Sequence, residues 1–300
     1  MNSQPLVSIL MTAYNREKYI GEAIESVLNS TYKNWELIIV DDLSTDNTVD
    51  IAMSYAQIDS RIKVYVNEQN LGDYPNRNKA ASYANGKYLK YVDADDMIYP
   101  YGLEQLVFYM EQFPQAAYGL CSLPQDKERI YPFMLTPEQA YRRHYIEDKW
   151  LFHKAPLSSI IRKEVFEAVG GFSGKPYLGD MEMWLKLSKK YNVVLMPHGI
   201  VWHREHPDQQ NTQNKTRPEI PFSYFVLEYE ALSAGDCPLP AEEKEMAIRK
   251  ILKKQARNIL FYTRKRQFKT ARKLYNMSNL KGRFIKALFY KENYMPKQAN

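Results

Sequence analysis

The first hundred residues alternate between two hydrophobic periodicities, and this alternation most constrains the fold. Short apolar runs typical of buried strands recur at nearly even intervals, and segments with helical spacing of apolar residues separate them. Such strand–helix–strand repeats predict an α/β fold with a mostly parallel, Rossmann-like sheet and helices on both faces. The predicted strands are Leu6–Ala13, Trp35–Val40, Ile62–Val66 and Lys87–Val92, and the predicted helices are residues 18–30, with Asn15 as its cap, 45–56 and 75–84.

The remainder of the chain is less regular. The pattern predicts a helix over Gly102–Phe113, no clear period over 114–160 except a strand at Ser158–Arg162, and a polar loop over 204–220. It also predicts a short amphipathic helix over Met181–Lys190, a buried strand at Val193–Met196, and helices from Ala241 onward. The predicted strands and helices thus continue the α/β pattern up to about Met196, and the C-terminal part is predicted to be helical.

Composition excludes several classes of protein. The chain has 300 residues, of which 45% are hydrophobic and 25% charged, which is ordinary for a globular protein and excludes a disordered or collagen-like chain. Two cysteines exclude a multi-disulfide scaffold and favour a reducing compartment. The sequence shows neither a signal peptide nor a long apolar span, so we expect a cytoplasmic protein.

Charge is distributed unevenly along the chain. Residues 241–300 contain 17 Lys and Arg against 4 Asp and Glu, a net charge of +13, whereas the first 240 residues have a net charge of −7. The basic segment could contact anionic lipid at the inner face of a membrane, or it could be the solvated face of packed helices. No nucleic-acid recognition motif accompanies it, so no nucleic-acid partner is expected.

Two acidic clusters follow predicted strands. Asp93, Asp95 and Asp96 come after the fourth strand, where crowded carboxylates favour a hard divalent cation such as Mg²⁺ or Mn²⁺. A solvated turn that caps the next helix is the alternative. Asp41 and Asp42 follow the second strand, and either could accept a hydrogen bond from a base or a ribose, or simply cap a helix.

Three other polar residues are candidates for chemistry. Asp180 opens the predicted helix near Met181 and could be a helix cap or a general base facing a cleft. Arg77 could reach a phosphate or a nucleotide ring, or remain on a solvated helix face. His206, in the loop after 204, could bind a metal or a phosphate, or be an ordinary surface residue.

Taken in order, five segments resemble glycosyltransferase family 2, whose members are inverting, nucleotide-sugar-dependent enzymes of the GT-A fold. The resemblance extends over roughly residues 5–210. It rests on VSILMTAYNREKYIGEAIESVLNSTYKNWELIIVDDLSTDNT, NLGDYPNRNKAASYANGKYLKYVDADD, VGGF, GDMEMWLKL and REHPDQQ.

The resemblance implies a division of the chain and a role for each matching residue. It implies a GT-A domain over 1–220, with a nucleotide-sugar-binding half (1–100) and an acceptor-binding half (101–220), followed by a helical region over 221–300. Asp180 would be the catalytic base, and Asp95, Asp96 and His206 would hold a divalent metal, Mn²⁺ or Mg²⁺. Either Asp93 with Asp95 or Asp95 with Asp96 could be the pair that binds the metal. The implied nucleotide-sugar site is Thr12, Ala13, Tyr14, Asp41, Asp42, Arg77, Asp93, Ala94 and Asp95.

The implied reaction is sugar transfer from a nucleotide-diphosphate sugar, with UDP the commonest nucleotide, to a glycan or lipid-linked acceptor in polysaccharide biosynthesis. The chain departs from the family pattern at Gly179, where a Glu is usual, and at Leu43, where a Gly is usual. A nucleotidyltransferase would usually show a Gly-rich loop after the first strand, and TAYNREKY has none. A catalytically degenerate nucleotide-sugar-binding or scaffold protein is the other alternative.

Overall fold

The computed structural model describes residues 4–206 and 217–290. They divide into two compact units. The first comprises the chain up to Pro137 together with Phe152–Glu205, and the second comprises Glu138–Leu151 and the described residues from His206 onward. The division at residue 220 stays a prediction, because these units are defined by contacts and not by function.

The first unit contains a mixed sheet of eight strands in the order β3-β2-β1-β4-β8-β6-β9-β7, and β5 pairs with β10 in a separate ribbon. The strands are β1 Val7–Ala13, β2 Trp35–Asp41, β3 Ile62–Val66, β4 Tyr88–Tyr91, β5 Met97–Ile98, β6 Ala116–Leu123, β7 Phe133–Leu135, β8 Ser159–Arg162, β9 Asn192–Pro197 and β10 Val201–Trp202. The helices are α1 Ile20–Leu28, α2 Thr48–Ile58, α3 Asp73–Ser82, α4 Gly102–Gln112, α6 Lys163–Ala168 and α7 Gly179–Lys190.

The predicted α/β architecture is confirmed in its first half. Strands β1 to β4 pair with one another in parallel, and every residue of β2 is buried. A parallel strand covered on both faces reads as a continuous apolar run, which is why WELIIV could be recognised. The second half is mixed, because β8 runs antiparallel to both β4 and β6.

The region 114–160, expected to be less periodic, contains β6, whose sequence AAYGLCSL is buried without alternating. One local prediction was wrong. Asn15 was predicted to cap α1, but that helix begins at Ile20 with no side-chain cap. The Asn15 side chain instead accepts a hydrogen bond from the Thr45 backbone N–H at 2.9 Å, and so connects the loops that follow β1 and β2.

The second unit is helical and has its own apolar core. Its helices are α5 Pro137–Tyr145, of which Pro137 lies in the first unit, α8 Glu219–Ser233, α9 Ala241–Arg264, α10 Phe268–Met277 and α11 Phe284–Leu288. Phe222, Leu252, Ile259 and Leu274 are among the buried residues that pack together there. Residues 207–216 of the predicted loop lie outside the described residues.

Leu43, which replaces the glycine usual in the family, lies in left-handed backbone with φ of +68°. A Cβ-bearing residue is strained in this conformation, and the Leu43 side chain is exposed and so loses little packing if removed. We expect Leu43→Gly to stabilise the protein by about 0.5–1 kcal/mol after the entropy cost of glycine. Urea denaturation would measure this, with Leu43→Ala as the control that keeps the strain. Equal stability of the two variants would contradict the prediction.

Candidate active site

The sheet register brings the first and second strand-end motifs to the same edge. Thr12 and Ala13 pair with Val40 and Asp41 in the β1–β2 ladder. The backbone N–H of Ala94 donates to the Thr12 carbonyl at 3.4 Å, which places the acidic cluster after β4 beside them. Three segments that are distant in sequence therefore meet beyond the carboxyl ends of adjacent parallel strands, where ligands bind in open α/β sheets.

Asp93 is held by a buried arginine. Arg77 donates from Nη1 to one carboxylate oxygen of Asp93 at 2.6 Å and from Nη2 to the other at 2.9 Å. Thr12 donates a longer hydrogen bond of 3.4 Å to the same group. Burial opposes ionisation of Asp93, but Arg77 outweighs it and lowers the pKa of Asp93 below its usual value. Asp93 is thus a fixed anion at the centre of the site.

Asp95 and Asp96 supply the other two carboxyl groups of this cluster. Asp95 pairs with Arg16, whose Nε lies 2.9 Å from a carboxylate oxygen. Asp96 accepts a hydrogen bond from the Arg204 backbone N–H at 3.0 Å. Burial, followed by repulsion from Asp93 and Asp95, raises the pKa of Asp96 to about 8.

The residues present fit a divalent cation. The Asp93 and Asp95 carboxylates lie close enough to Asp96 to disfavour its ionisation, and carboxylate oxygens are the ligands that Mg²⁺ and Mn²⁺ prefer. A bound cation would relieve the repulsion that Asp96 experiences. His206 belongs to the second compact unit, and its metal-binding role stays a prediction.

Asp180 lies in the first turn of α7 and is tied to the same cluster through α3. Its backbone N–H donates to the Tyr74 hydroxyl at 3.4 Å, and the same hydroxyl lowers the pKa of the Asp180 carboxyl, against the larger effect of burial. A Cβ at Gly179 would lie 2.6 Å from the Tyr74 ring, so the glycine allows this close approach. The departure from the family's usual Glu is therefore matched to Tyr74.

The electrostatics of Asp180 show that it shares a cluster with the strand-end acids. Burial raises the pKa of Asp180 to about 7, Arg77 opposes the increase, and the nearby charges of Asp73 and Asp93 add to it. Asp180 thus lies within electrostatic range of residues some 90 to 110 positions earlier in the chain. A carboxyl group with a pKa near neutrality can accept a proton at physiological pH.

Arg77 is the residue that joins these carboxylates. Besides Asp93, its guanidinium contacts Asp73 at 2.7 Å, and it lies 5.6 Å from the Tyr91 ring centroid. Its charge also acts on Asp180. In the structure, Arg77 neutralises charge in a buried acidic cluster. Its contact with the nucleotide stays a prediction.

Asp41 and Asp42 organise loops in the structure. Asp42 accepts hydrogen bonds from the backbone N–H groups of Leu71 and Gly72 at 2.7 and 2.8 Å and from the Asn67 amide at 2.9 Å. Asp41 accepts one from the Ser44 N–H at 2.7 Å. These contacts fix the loops that border the edge of the sheet, and contact of either residue with a nucleotide stays a prediction. Tyr14, at the end of β1, has an exposed ring.

Sequence reasoning missed two arginines that contact the acidic cluster. Arg16, in the loop after β1, pairs with Asp95. Arg204, after β10, donates from Nε to the Asp95 carbonyl at 3.0 Å, and its guanidinium lies between the Tyr19 and Trp202 rings at 5.2 and 5.1 Å. Their positions in the sequence could have indicated this role, because both lie in loops next to the predicted acidic site. Nearby cations stabilise the carboxylates of such a site.

Comparison with known proteins identifies the family. The profile described as Glycosyl transferase family 2 matches residues 8–170, more than half of the chain. The chain belongs to this family. The glycosyltransferase is 43% identical over 234 residues to the UDP-Glc:alpha-D-GlcNAc-diphosphoundecaprenol beta-1,3-glucosyltransferase WfgD of Escherichia coli, an alignment that covers 74% of this chain and 85% of WfgD. Alignments with three other curated relatives cover between 41% and 73% of their lengths.

Solved structures confirm the predicted GT-A fold of the glycosyltransferase. S. aureus TarS 1-349 in complex with UDP-GlcNAc matches with a TM-score of 0.70 at 20% identity, over 94% of this chain and 81% of that one. The mannosyltransferase PcManGT from Pyrobaculum calidifontis, in complex with GDP-Man and Mn²⁺, matches with a TM-score of 0.63 at 17% identity, over 96% and 87%. The prediction that the chain is an enzyme, a glycosyltransferase, is confirmed by its family. Within the described residues, every helix is too short or too polar to cross a membrane.

Proposed function

We propose that this glycosyltransferase moves a sugar from a UDP-sugar to an acceptor hydroxyl with inversion at the anomeric carbon, and that Asp180 is the base. The observation that carries the proposal is the position of Asp180, whose pKa burial raises to about 7, with Arg77 opposing the increase and the strand-end acid Asp93 adding to it. An ordinary surface aspartate has a pKa near 4 and would be a weak base at neutral pH.

The chemistry needs one base and no covalent enzyme intermediate. The acceptor oxygen forms a bond to the anomeric carbon while the bond from that carbon to the nucleotide diphosphate breaks on the opposite face. The acceptor proton passes to the Asp180 carboxylate, and the diphosphate leaves with the bonding electrons. A positioned base contributes typically about 10²–10⁴-fold to such a step.

The nucleotide side of the cleft is proposed to be the edge formed by β1, β2 and β4. There the exposed Tyr14 ring offers a stacking surface, and the backbone at Thr12 and Ala13 lies next to Asp41. Asp42 fixes the loop at Leu71 and Gly72, so that this wall is rigid before a ligand arrives. The fixed anion Asp93, together with the adjacent Ala94, would face the ribose.

Asp95 and Asp96 would hold the divalent metal. Such an ion, when bound, offsets the charge that develops on the departing diphosphate. The Mn²⁺ named in the PcManGT complex supports this choice of ion. Arg16 and Arg204 keep the acidic loop in place through Asp95, which leaves its geometry defined in advance.

UDP is proposed as the nucleotide because both WfgD and the TarS complex name UDP-sugars. The name of WfgD also specifies a diphosphoundecaprenol-linked acceptor, which supports a lipid-linked acceptor for this chain and a role in polysaccharide biosynthesis. A degenerate, non-catalytic protein is disfavoured because Asp180 and the acids at 93, 95 and 96 are all present. Family membership leaves the nucleotidyltransferase alternative without support.

The metal and nucleotide site is testable by thermal stability. At UDP concentrations 100 times Kd, binding is expected to stabilise the protein by about 2.7 kcal/mol with Mn²⁺ and far less with EDTA. Asp96→Asn should lose this Mn²⁺-dependent increase in melting temperature without destabilising the free protein, since it replaces a carboxyl group whose ionisation burial and the neighbouring acids disfavour. Asp50→Asn, at an exposed position on α2, is the control. An equal increase in EDTA would contradict the metal site.

Turnover of candidate donors tests the reaction itself. UDP-Glc and UDP-GlcNAc would be offered with a diphosphoundecaprenol-linked sugar acceptor, and the anomeric configuration of the product would be read by NMR. A retained configuration, or transfer only from GDP- or dTDP-sugars, would overturn the corresponding part of the proposal.

A further inference from the structure

We propose that residues 261–290 form a surface that binds the headgroup region of an anionic lipid bilayer. This segment contains nine Lys and Arg and no Asp or Glu, a net charge of +9, and all nine basic side chains are exposed. Five large apolar side chains of the segment are exposed beside them. We call these fourteen residues the basic–apolar surface. The apolar members are Phe261, Phe268, Tyr275, Ile285 and Phe289, and the basic members are Arg264, Lys265, Arg266, Lys269, Arg272, Lys273, Lys281, Arg283 and Lys286.

Helix α10 displays part of this surface along one face. Phe268, Arg272 and Tyr275 follow the i, i+4, i+7 spacing of a single helix face, and all three are exposed. The adjacent face buries Ala271 and Leu274 in the core of the second unit. The helix thus satisfies its packing with one face and still presents aromatic rings and a cation on the other.

Helix α11 repeats this arrangement with more exposed side chains. Ile285 and Phe289, four residues apart, are 73% and 79% exposed, whereas Ala287 is buried. The two helices adjoin, because the Tyr275 ring of α10 meets Phe284 of α11 edge-on at 6.3 Å between centroids. Their exposed residues therefore belong to neighbouring parts of one helical unit.

Cations lie near two of the exposed apolar side chains. The Lys265 ammonium lies 5.7 Å from the Phe261 ring centroid, and Lys269 follows directly after Phe268. Only one ion pair with an acid is seen for these nine side chains among the described residues, between Lys273 and Glu219 at 2.9 Å. The positive potential of the surface is therefore largely uncancelled locally.

Charge complementarity decides the occupant. An anionic bilayer offers negative headgroups to the lysines and arginines, and an interfacial region into which Phe and Ile side chains can insert. A second copy of this chain would bring +9 against +9, which opposes self-association through the same face. A nucleic acid would match the charge but gives Ile285 and Phe289 no apolar environment, so the lipid surface fits both features.

The inference concerns a different part of the chain from the transfer chemistry and does not depend on it. Vesicle binding requires neither donor nor acceptor, so failure of the proposed reaction and failure of this docking would be seen in separate assays. If both hold, the surface would bring the enzyme to the layer in which a lipid-linked acceptor resides.

Sedimentation of the full chain with vesicles is the direct test. Vesicles of phosphatidylcholine with about 30% phosphatidylglycerol are expected to bind the protein about tenfold or more tightly than phosphatidylcholine alone. Raising the salt from about 0.1 M to about 0.5 M should weaken the binding, since exposed charges are screened within a few ångströms at high ionic strength.

Variants then separate insertion from simple charge attraction. Ile285→Ser with Phe289→Ser should lower the affinity for anionic vesicles about tenfold without changing the melting temperature, because both side chains are exposed. Ile58→Ser, at a position 85% exposed on α2, is the matched control and should bind as the unaltered protein does. The double variant Lys269→Glu/Lys286→Glu should bind anionic vesicles more weakly, and its binding should depend less on the salt concentration.

Three results would overturn the inference. One is equal binding to neutral and anionic vesicles, and another is unchanged binding by the Ile285→Ser/Phe289→Ser variant. The third is absence of vesicle binding. It would be accompanied either by tight binding of single-stranded RNA or by a concentration-dependent dimer, seen in sedimentation velocity, that the Ile285→Ser/Phe289→Ser variant abolishes. That result would assign the surface to a nucleic acid or to a second copy.

Discussion

Asp180→Asn is expected to lower kcat by about 10²–10⁴-fold, because the amide cannot accept the acceptor proton. Binding of UDP and of the donor should change little, since Asp180 is not among the residues predicted to contact the nucleotide. Single-turnover transfer and isothermal titration with UDP would measure the two effects separately. Glu182→Gln, in the same helical turn but paired with Lys175 at 2.9 Å, is the control. Turnover close to that of the unaltered enzyme would remove Asp180 from the mechanism.

The pH dependence gives a second, independent readout of Asp180. Its carboxyl must be ionised to act as a base, so kcat/KM should rise with pH through a midpoint near the pKa of about 7 and then level off. The groups that act on it are Arg77, Asp73, Asp93 and the Tyr74 hydroxyl. The rising limb should be absent from the residual activity of Asp180→Asn. A midpoint near 4 would show that the base is an ordinary exposed carboxylate.

The same shift has a consequence for stability. The folded-state pKa of Asp180 is above its usual value of about 4, so Asp180 favours folding at low pH, and this contribution is lost as the pH rises from about 4 through about 7. The site is therefore strained in the ionised form that catalysis requires. Asp180→Asn should gain stability relative to the unaltered enzyme as the pH rises over that interval, which denaturation at pH 5 and pH 8 would measure.

The repeating half of the fold was predictable because its signals are local and strong. A buried parallel strand such as β2 is a continuous apolar run, and helices between such strands show their own period. β6 was not predictable, because small residues and a glycine in AAYGLCSL pack in the sheet without any alternation. Its burial depends on β8 and β9, which lie far away in sequence.

The site was predictable as a set of acids and not as a set of contacts. Asp93, Asp95, Asp96 and Asp180 could be chosen from motif order, since they sit beside strand or helix ends. The partners that set their charge could not be chosen. Tyr74 reaches Asp180 across 106 positions, and such pairs follow from the packing of α3 against α7, for which a single sequence gives no period or spacing.

Arg77 is expected to be the most costly residue of the site to remove. Arg77→Met should destabilise the protein by about 3–5 kcal/mol, because it leaves Asp93 and Asp73 without the buried guanidinium that pairs with both. Arg61→Met is a matched control, since Arg61 also pairs with an aspartate, at 2.6 Å, and also lies over an aromatic ring. The Arg61 side chain is 39% exposed against 8% for Arg77, so its pair should contribute less than about 1 kcal/mol. Urea denaturation would compare the two, and equal losses would contradict the importance of burial.

The Arg77 variant also tests how stability and catalysis are coupled in this cluster. Asp93→Asn added to Arg77→Met should recover part of the lost stability, since it removes one of the carboxylates left unpaired. Arg77 opposes the rise in the pKa of Asp180, so its loss should move the rising limb of the kcat/KM profile to higher pH. A merely structural role would lower stability without moving that limb. A shifted limb would instead show that one buried guanidinium both holds the acidic cluster together and keeps the base ionised near neutral pH.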